Sequence, residues 1–550
     1  MVLDPPTSTY LVPHGVDADA VTSFLAERLP VEADEPLTVE TTVLDTVDRR
    51  LRDAGVELLL DRHLGAPRLT LRDHSGRPPL VTDVPGAARA AGAGIDPPGG
   101  RPVRFLLDDL PPGLLRQRLA DVLEERALLP LVLLRLEARS VRVLDEQEKT
   151  VVRLGITSPL ALGAADPAQA FTGGPIDAPD GGVLLATRVV VAGVLGYPKP
   201  LARVTALLTE DAGLRTSTSG AADEALRALG GEPDGLRTKV RVPLTPEVRT
   251  DRAAVDVLDD LADIATSNLA GTLADLDPEF LHDLRVAVRK SRSVLRELKR
   301  AFPPDELARQ REALKWVQAI TGEVRDLDVQ LLEWPALAAK VGPHRRAALE
   351  PVHELVARHR AEALRRLVAE LEGERFTSTW SSYRAFLAGD LGKAKKRPDA
   401  KEPIALTAGR RIRKVYSTMV GMGRAIDDDS PPEDLHELRK RGKELRYLLE
   451  LFGGLWPAEI VKPMVKTLKG LQDVLGTHQD RAVQVESLRT LVDDLARQPD
   501  GPDALLALGS LVDRLEDEEH EARAHFADSF APFAAKAQRQ QVDATFRGLP

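Results

Sequence analysis

A row of basic side chains recurs at helical spacing in the C-terminal half of the sequence. His282, Arg285, Arg289, Arg292 and Arg296 follow one another at intervals of three or four residues. On an α-helix this spacing places all five within an arc of about 80°. Arginine binds phosphate with two parallel hydrogen bonds, lysine adds a compact charge, and neutral histidine still donates one hydrogen bond. The row predicts an anion site, and its length of roughly 16 Å suits a linear polyphosphate better than a single phosphate.

The same row returns 154 residues later, as His436, Arg439, Lys443 and Arg446. Residues 281–296 and 435–450 share six identities in 16, and residues 314–328 and 468–482 share five in 15. Only roughly two or three identities in all are expected by chance for this composition. This self-similarity predicts two copies of one helical unit, related by approximate symmetry.

One basic helix alone is most often a solvated face of a protein. Here, however, like charges three and four residues apart repel each other, and most nearby acids lie off the row. Glu450 is the exception, because it replaces the equivalent of Arg296. Retention of the row in both copies favours a shared anion. Cations on neighbouring helices add to the predicted polyphosphate site, which comprises His282, Arg285, Arg289, Arg292, Arg296, Lys315, Arg410, Lys414, His436, Arg439, Lys443, Arg446 and Lys469.

Each row is followed by a Gly-x-x-x-Asp segment, expected to be a turn, at Gly322–Asp326 and Gly476–Asp480. The doubled row with this segment resembles the CHAD family, the conserved histidine α-helical domain, over about residues 250–540. The resemblance implies two four-helix bundles related by a pseudo-twofold axis, with a basic central channel that binds inorganic polyphosphate. It also implies association with polyphosphate granules, as in some family members.

Composition sets limits on the class of protein. The 550 residues include 43% hydrophobic and 29% charged residues, as in an ordinary globular protein. The formal charge of −10 means that any anion site must be a local concentration of basic residues, and zero cysteines exclude disulfides and thiolate chemistry. The sequence shows no signal peptide and no apolar stretch of membrane-spanning length. We expect a soluble cytoplasmic protein without a membrane partner.

The pattern divides the chain into three parts. Residues 1–205 alternate β-rich runs with turns and predict an α+β domain with an antiparallel sheet. Residues 206–249 are rich in Gly, Pro, Ser and Thr and predict a linker. Residues 250–550 predict an all-α domain, with repeat 1 at about 250–395 and repeat 2 at about 404–550.

Residues 1–205 resemble a diverged CYTH domain, through Leu44–Leu51 and Arg68–Arg72. The CYTH resemblance implies an antiparallel β tunnel that binds triphosphate with basic residues and a divalent metal with glutamates. That chemistry needs an initial Glu-x-Glu-x-Lys strand, and Thr7–His14 contains neither Glu nor Lys. Scattered arginines such as Arg72 and Arg188 could still line a tunnel, and the domain is expected to be degenerate.

The leading hypothesis is a polyphosphate-binding protein that is not an enzyme, with no catalytic residues, no metal and no cofactor. The alternative is a metal-dependent inorganic triphosphatase acting through the CYTH-like domain. Nucleic acid is disfavoured as a partner, because few aromatic residues lie near the rows to stack on bases. Polyphosphate, and polyphosphate granules in the cytoplasm, are the expected partners.

Overall fold

The computed structural model describes residues 7–13, 15–62, 67–73, 79–83, 104–164, 176–177, 181–217, 220–389, 397–427 and 429–549. The chain divides into two compact units. The first unit contains Met1–Thr238 and Leu269–Phe280, and the second contains Lys239–Asn268 and Leu281–Pro550. None of the helices in the described ranges is long and apolar enough to cross a membrane.

The first unit is built on one antiparallel sheet, with twelve strands among its described residues. The strands are β1 Thr7–Leu11, β2 Val31–Ala33, β3 Leu37–Asp45, β4 Val56–Arg62, β5 Arg68–Asp73, β6 Leu80–Asp83, β7 Leu129–Leu144, β8 Thr150–Ala164, β9 Ile176–Asp177, β10 Val183–Leu184, β11 Arg188–Gly193 and β12 Arg215–Thr216. Their order is β12-β1-β11-β8-β7-β3-β4-β5-β6, with β9 and β10 on β8 and β2 on β7. This confirms the predicted antiparallel N-terminal domain.

Short helices pack against both faces of this sheet, with Ala221–Ala228 on the face opposite Ala18–Ala26. They are α1 Ala18–Ala26, α2 Arg50–Asp53, α3 Leu114–Leu123, α4 Pro198–Ala206 and α5 Ala221–Ala228. Asp17 caps α1 by accepting a hydrogen bond from the Ala20 amide at 2.8 Å. The α1 residues Val21 and Leu25 pack in one core with Val189 and Val191 of β11. Because side chains alternate along a strand, Arg188 and Val190 lie on the opposite face.

Part of the segment predicted as a linker has regular structure. Residues 206–238 belong to the first unit and contain a π-helical turn at Leu207–Asp211, strand β12 and helix α5. Residues 239–249 belong to the second unit. Local composition identified the Gly- and Pro-rich turns here, but it could not reveal the tertiary packing that orders the residues between them.

The regular elements of the second unit are helices in its described residues, joined by turns and short connections. Its helices are α6 Thr250–Leu273, α7 Pro278–Glu297, α8 Pro304–Ile320, α9 Gly322–Ala339, α10 Pro343–Ala348, α11 Glu350–Glu372, α12 Glu374–Ala388, α13 Ile404–Ala425, α14 Pro432–Phe452, α15 Ala458–Arg489, α16 Val492–Ala496, α17 Gly501–Ala524, α18 Phe526–Ala534 and α19 Lys536–Thr545. α6 and α7 cross the boundary between the two units. Many of these helices have a proline at or just before their first residue. Proline is favoured there because the N–H that it lacks would have no partner within the helix.

The 154-residue offset relates the elements of the two copies. α6 corresponds to α13 and α7 to α14, and the 3₁₀ turns after them correspond as Lys299–Ala301 and Gly453–Leu455. Backbone hydrogen bonds just before α6 and α13 follow the same 154-residue offset. Replacing each residue of one bond by its equivalent in the other copy gives the residues of a second bond. These reciprocal bonds are Ile404 N to Val248 O (2.8 Å) with Thr250 N to Glu402 O (2.9 Å), and Asp251 N to Ala400 O (3.1 Å) with Ala405 N to Pro246 O (3.2 Å). The copies are therefore related by a pseudo-twofold axis.

The copies differ after the row helix. Repeat 1 has two helices, α8 and α9, separated at Thr321, whereas repeat 2 has the single helix α15. Both Gly-x-x-x-Asp segments are helical, so the turn expected at each of them is wrong. Gly322 begins α9 and Gly476 lies inside α15. Glycine destabilises a helix by only about 1 kcal/mol, which the packing of neighbouring helices overrides.

The two copies also share a hydrophobic core. Helices α9 and α11 of repeat 1 pack with α15 and α17 of repeat 2 around buried residues such as Leu337, Val356, Leu488 and Leu511. Two helices from each copy therefore form one four-helix core, and neither copy could bury these side chains alone.

Candidate anion-binding site

The first basic row lies on α7, beside the stripe that faces the protein interior. Leu284, Val288 and Leu295 are almost fully buried on this helix. His282, Arg289 and Arg292 are half-buried, and Arg285 is only 8% exposed. The row therefore borders the core, as its helical phase predicts, and its guanidinium groups are partly removed from water.

The second row occupies the equivalent position on α14. Leu438, Leu445 and Leu449 form the buried stripe. His436, Arg439 and Lys443 are half-buried beside it, while Arg446 is exposed. The imidazole of His436 is hydrogen-bonded to the side-chain amide of Gln479 on α15, which fixes the orientation of the ring.

Two ion pairs join the row helices directly, and we call them the crossing pairs. Lys290 Nζ lies 3.0 Å from Glu450 Oε2, and Arg296 Nη2 lies 3.1 Å from Glu444 Oε1. The copy-to-copy relation pairs Lys290 with Glu444 in sequence and Arg296 with Glu450. Exchanging the two copies therefore turns the positions of one crossing pair into those of the other, with the cation and the acid exchanged. The crossing pairs hold α7 and α14 together in antiparallel orientation.

Cations of the two rows meet beside the crossing pairs. We call Arg285, Arg289, Arg439 and Lys443 the central cluster. Burial, followed by the charges of Arg439 and Arg289, lowers the pKa of Lys443 to about 8. Burial, followed by the charge of Arg289, lowers the pKa of Arg285 to about 10. Since Arg289 acts on cations of both copies, the two rows approach each other at the central cluster.

Two acidic residues border the cluster, the aspartates of the Gly-x-x-x-Asp segments, and neither is among the predicted site residues. Asp480 on α15 lies 2.7 Å from Arg439, and its equivalent Asp326 on α9 is beside Arg285 and Arg289. Desolvation raises the pKa of Asp326 despite these cations. Arg285 instead donates to the Gln318 carbonyl (3.0 Å) and the Thr321 hydroxyl (2.8 Å), at the break between α8 and α9. The repeated aspartate at the 154-residue offset was the available signal.

Several predicted site cations form no ion pair with an acid among the described residues. The side chains of Arg289, Arg292, Lys414, Lys443 and Lys469 make no hydrogen bond or ion pair with another residue in the described part of the chain. Burial, followed by Arg296 and Arg289, lowers the pKa of Arg292. Arg289, Arg292 and Lys443 are therefore the residues best able to accept an external anion.

Other predicted residues are committed to acids. Arg296 pairs with Glu297 and Glu444, and Arg446 lies 2.6 Å from Glu450. Lys315 pairs with Glu312 at 3.4 Å, and Arg410 pairs with Glu402 and Asp399. Within the described ranges, no hydrogen bond or ion pair joins Lys315, Arg410, Lys414 or Lys469 to the central cluster. The flanking cations are therefore weaker candidates for anion binding than the cations of the two rows.

Buried Glu297 fastens the end of the first row to α13. It accepts hydrogen bonds from Arg296 Nε at 2.9 Å and from Arg411 Nε at 3.0 Å. Burial opposes ionisation, but these two guanidinium groups outweigh it and hold the pKa of Glu297 below its usual range.

Glu297→Gln is expected to destabilise the protein by about 2 kcal/mol at pH 7, because two guanidinium groups lose their charged acceptor. Since the folded-state pKa is lowered, this stabilisation is present above the unfolded-state pKa and is lost as pH falls through the folded-state value. Urea unfolding should give a smaller difference in the free energy of unfolding between the wild type and Glu297→Gln at about pH 3 than at pH 7. The exposed Glu312→Gln control should change stability by less than about 1 kcal/mol, and an equal loss in both variants would contradict this role.

Comparison with known proteins places the rows inside a recognised domain. Residues 256–489 match the model of the CHAD domain. An uncharacterized protein of Mycobacterium tuberculosis, present in two strains, is 29% identical over 215 residues. This alignment covers 38% of the present chain, and the chain spans 40% of the length of those curated relatives. The family match does not extend into residues 1–205, so the CYTH-like resemblance stays a prediction.

Two solved structures are similar to part of the chain. The CHAD domain from the plant Ricinus communis is 20% identical with a TM-score of 0.42, covering 56% of this chain and 96% of its own. PptA from Streptomyces chartreusis is 18% identical with a TM-score of 0.39, covering 51% and 99%. The matched family model encloses both basic rows, and residues 256–489 of the chain form a CHAD domain.

Proposed function

We propose that the CHAD domain binds inorganic polyphosphate through the two rows, centred on Arg289 and Lys443, without catalysing a reaction. The observation that carries this proposal is that Arg289 and Lys443, one unpaired cation from each copy, lie close enough for the charge of Arg289 to act on Lys443. Like charges held together beside a buried stripe repel each other, and a bound polyanion removes that repulsion. Arginine supplies paired hydrogen bonds to successive phosphates.

A linear polyanion matches this arrangement better than a compact one. The crossing pairs orient α7 and α14 in opposite directions, so the rows extend to either side of Arg289 and Lys443. Each row is roughly 16 Å long at 1.5 Å per residue, which is longer than one phosphate group can span. Successive phosphates of one chain would therefore contact cations of both copies.

Titration with polyphosphates of graded length tests the function. Affinity should rise with chain length, exceed that for DNA of equal charge, and be weakest for orthophosphate. The logarithm of affinity should fall linearly with the logarithm of salt concentration, by analogy with counterion release from nucleic acids. Arg292→Gln should make this slope less steep. Equal affinity for DNA and polyphosphate, or none for polyphosphate, would reject the proposal.

Association with cytoplasmic polyphosphate granules is the cellular extension of this proposal, since a granule presents many copies of the same ligand. Binding to several chains at once raises the effective affinity. Cosedimentation with granules should therefore depend on Arg289 and Lys443. The alternative triphosphatase would instead release orthophosphate from triphosphate in a metal-dependent manner, and this assay on the full-length chain separates the two.

A further inference from the structure

A cavity of about 620 Å³ lies within the first unit. Alternate residues of several strands line it, including Glu57 and Leu59 of β4, Leu134 and Leu136 of β7, and Val190 of β11. The neighbouring residues Val189 and Val191 instead pack in the core under α1. The cavity is therefore enclosed by the face of the sheet opposite that helix, and its volume is typical of small-molecule sites.

A buried arginine marks the polar part of this cavity. Arg188 lines the cavity with only 6% of its surface exposed. Its Nη2 lies 2.8 Å from Glu224, but its buried Nε has no hydrogen-bond partner. A buried donor without an acceptor is costly, so an oxygen atom brought to this N–H would stabilise the arginine.

The other charged groups of the cavity are mostly compensated. Arg72 lies 3.9 Å from Glu57, and Asp73 lies 3.2 Å from Arg118. Exposed Arg153 also lines the cavity and makes no hydrogen bond or ion pair with any residue that the structure describes. The described lining therefore has an excess of one positive charge, carried by Arg153.

This balance does not fit the triphosphate and metal that the CYTH resemblance implies. Triphosphate has several negative charges, which one excess cation cannot compensate in a partly enclosed site. Divalent metal needs carboxylate ligands, and both described acids of the lining, Glu57 and Asp73, already face arginines. Between these charges the wall is mainly apolar, with Leu59, Leu134, Leu136 and Val190, and it also carries the hydroxyl groups of Thr41 and Thr157.

We propose that the cavity binds an organic monocarboxylate with an apolar body, such as a medium-chain fatty acid. The carboxylate is placed to contact Arg153 and the free Nε–H of Arg188, and the apolar chain to cover the leucine-rich wall. Both parts follow the usual composition of ligand sites, where a few polar groups orient a ligand held mainly by apolar contacts. This proposal does not depend on polyphosphate binding by the CHAD domain.

Calorimetric titration of the full-length protein with decanoate tests the proposal, with decanol and tripolyphosphate as comparison ligands. We expect one decanoate per chain, bound equally well in the presence of saturating tripolyphosphate. Arg153→Gln should weaken decanoate about tenfold, through loss of a charged hydrogen bond, and leave decanol unchanged.

Gly155→Phe fills the cavity directly. Gly155 lines the cavity, and an added Cβ meets no atom within 4 Å and needs no unusual backbone angle. This variant should lose decanoate binding and retain the circular dichroism spectrum and thermal unfolding transition of the wild type, which show that it is folded. Absence of decanoate binding in the wild type, its survival in Gly155→Phe, its displacement by tripolyphosphate, or equal effects of Arg153→Gln on decanoate and decanol would each overturn the proposal.

Discussion

Reversing either central charge, by Arg289→Glu or Lys443→Glu, is expected to weaken polyphosphate binding by about 100-fold or more. Both residues are unpaired, and Arg289 acts electrostatically on Lys443 across the pseudo-twofold axis. A glutamate in this position both removes a cation and repels the ligand, which costs several kcal/mol in a partly buried site. Isothermal titration at fixed salt, with circular dichroism to verify helicity, measures the effect.

The two substitutions should have equal consequences, because one ligand contacts both copies. Arg514→Glu is a matched control, since Arg514 is an exposed arginine on α17 with a side chain 65% accessible to solvent. It should alter affinity less than about threefold through long-range charge alone. If either central variant instead halves the stoichiometry at unchanged affinity, the rows are two independent sites and the shared site is wrong.

Polyphosphate affinity should also fall steeply as pH rises from about 7.5 to 9.5. In the free protein the pKa of Lys443 is lowered to about 8 by burial and then by Arg439 and Arg289. A bound polyanion stabilises the protonated amine and raises this pKa, so binding takes up a proton above about pH 8. For one linked proton the loss approaches tenfold per pH unit between the two pKa values.

Lys443→Arg isolates this effect. Arginine remains charged throughout the range, so the variant should keep strong binding and show little pH dependence between 7.5 and 9.5. Lys469→Arg, at an exposed lysine outside the central cluster, should behave like the wild type. A wild-type affinity that is constant over this interval, or a Lys443→Arg variant with the full dependence, would show that Lys443 does not contact the ligand.

The sequence alone predicted an antiparallel sheet followed by a helical domain, because the periods of the hydrophobic residues differ between the two. The β-branched run Leu37–Leu44 predicts a strand, which forms as β3 at Leu37–Asp45, and the row helices follow the predicted helical phase. The run Val183–Val191, however, predicts one strand and forms two, β10 and β11. Alternation identifies residues that fit a sheet, but hydrogen bonding to β8 decides where each strand begins and ends.

The positions of the basic side chains were predictable where they depend on the phase of one helix, and not where they depend on a second helix. The helical phase gave the half-buried row of α7 and α14. It could not show that Arg296 faces Glu444 or that Arg411 faces Glu297, because these acids belong to other helices or to the buried side. The interaction of Asp480 with Arg439 likewise depends on the packing of α15 against α14.

The exchanged charges of the crossing pairs favour pairing of repeat 1 with repeat 2 over pairing of either repeat with a second copy of itself. At these two positions repeat 1 supplies two cations, Lys290 and Arg296, and repeat 2 supplies two acids, Glu444 and Glu450. Two copies of repeat 1 would oppose cation to cation, and two copies of repeat 2 acid to acid, at a partly buried interface where such repulsion is costly. Each half therefore requires the other half as its partner. The present halves no longer allow the symmetric pairing of identical units from which an internal repeat can arise.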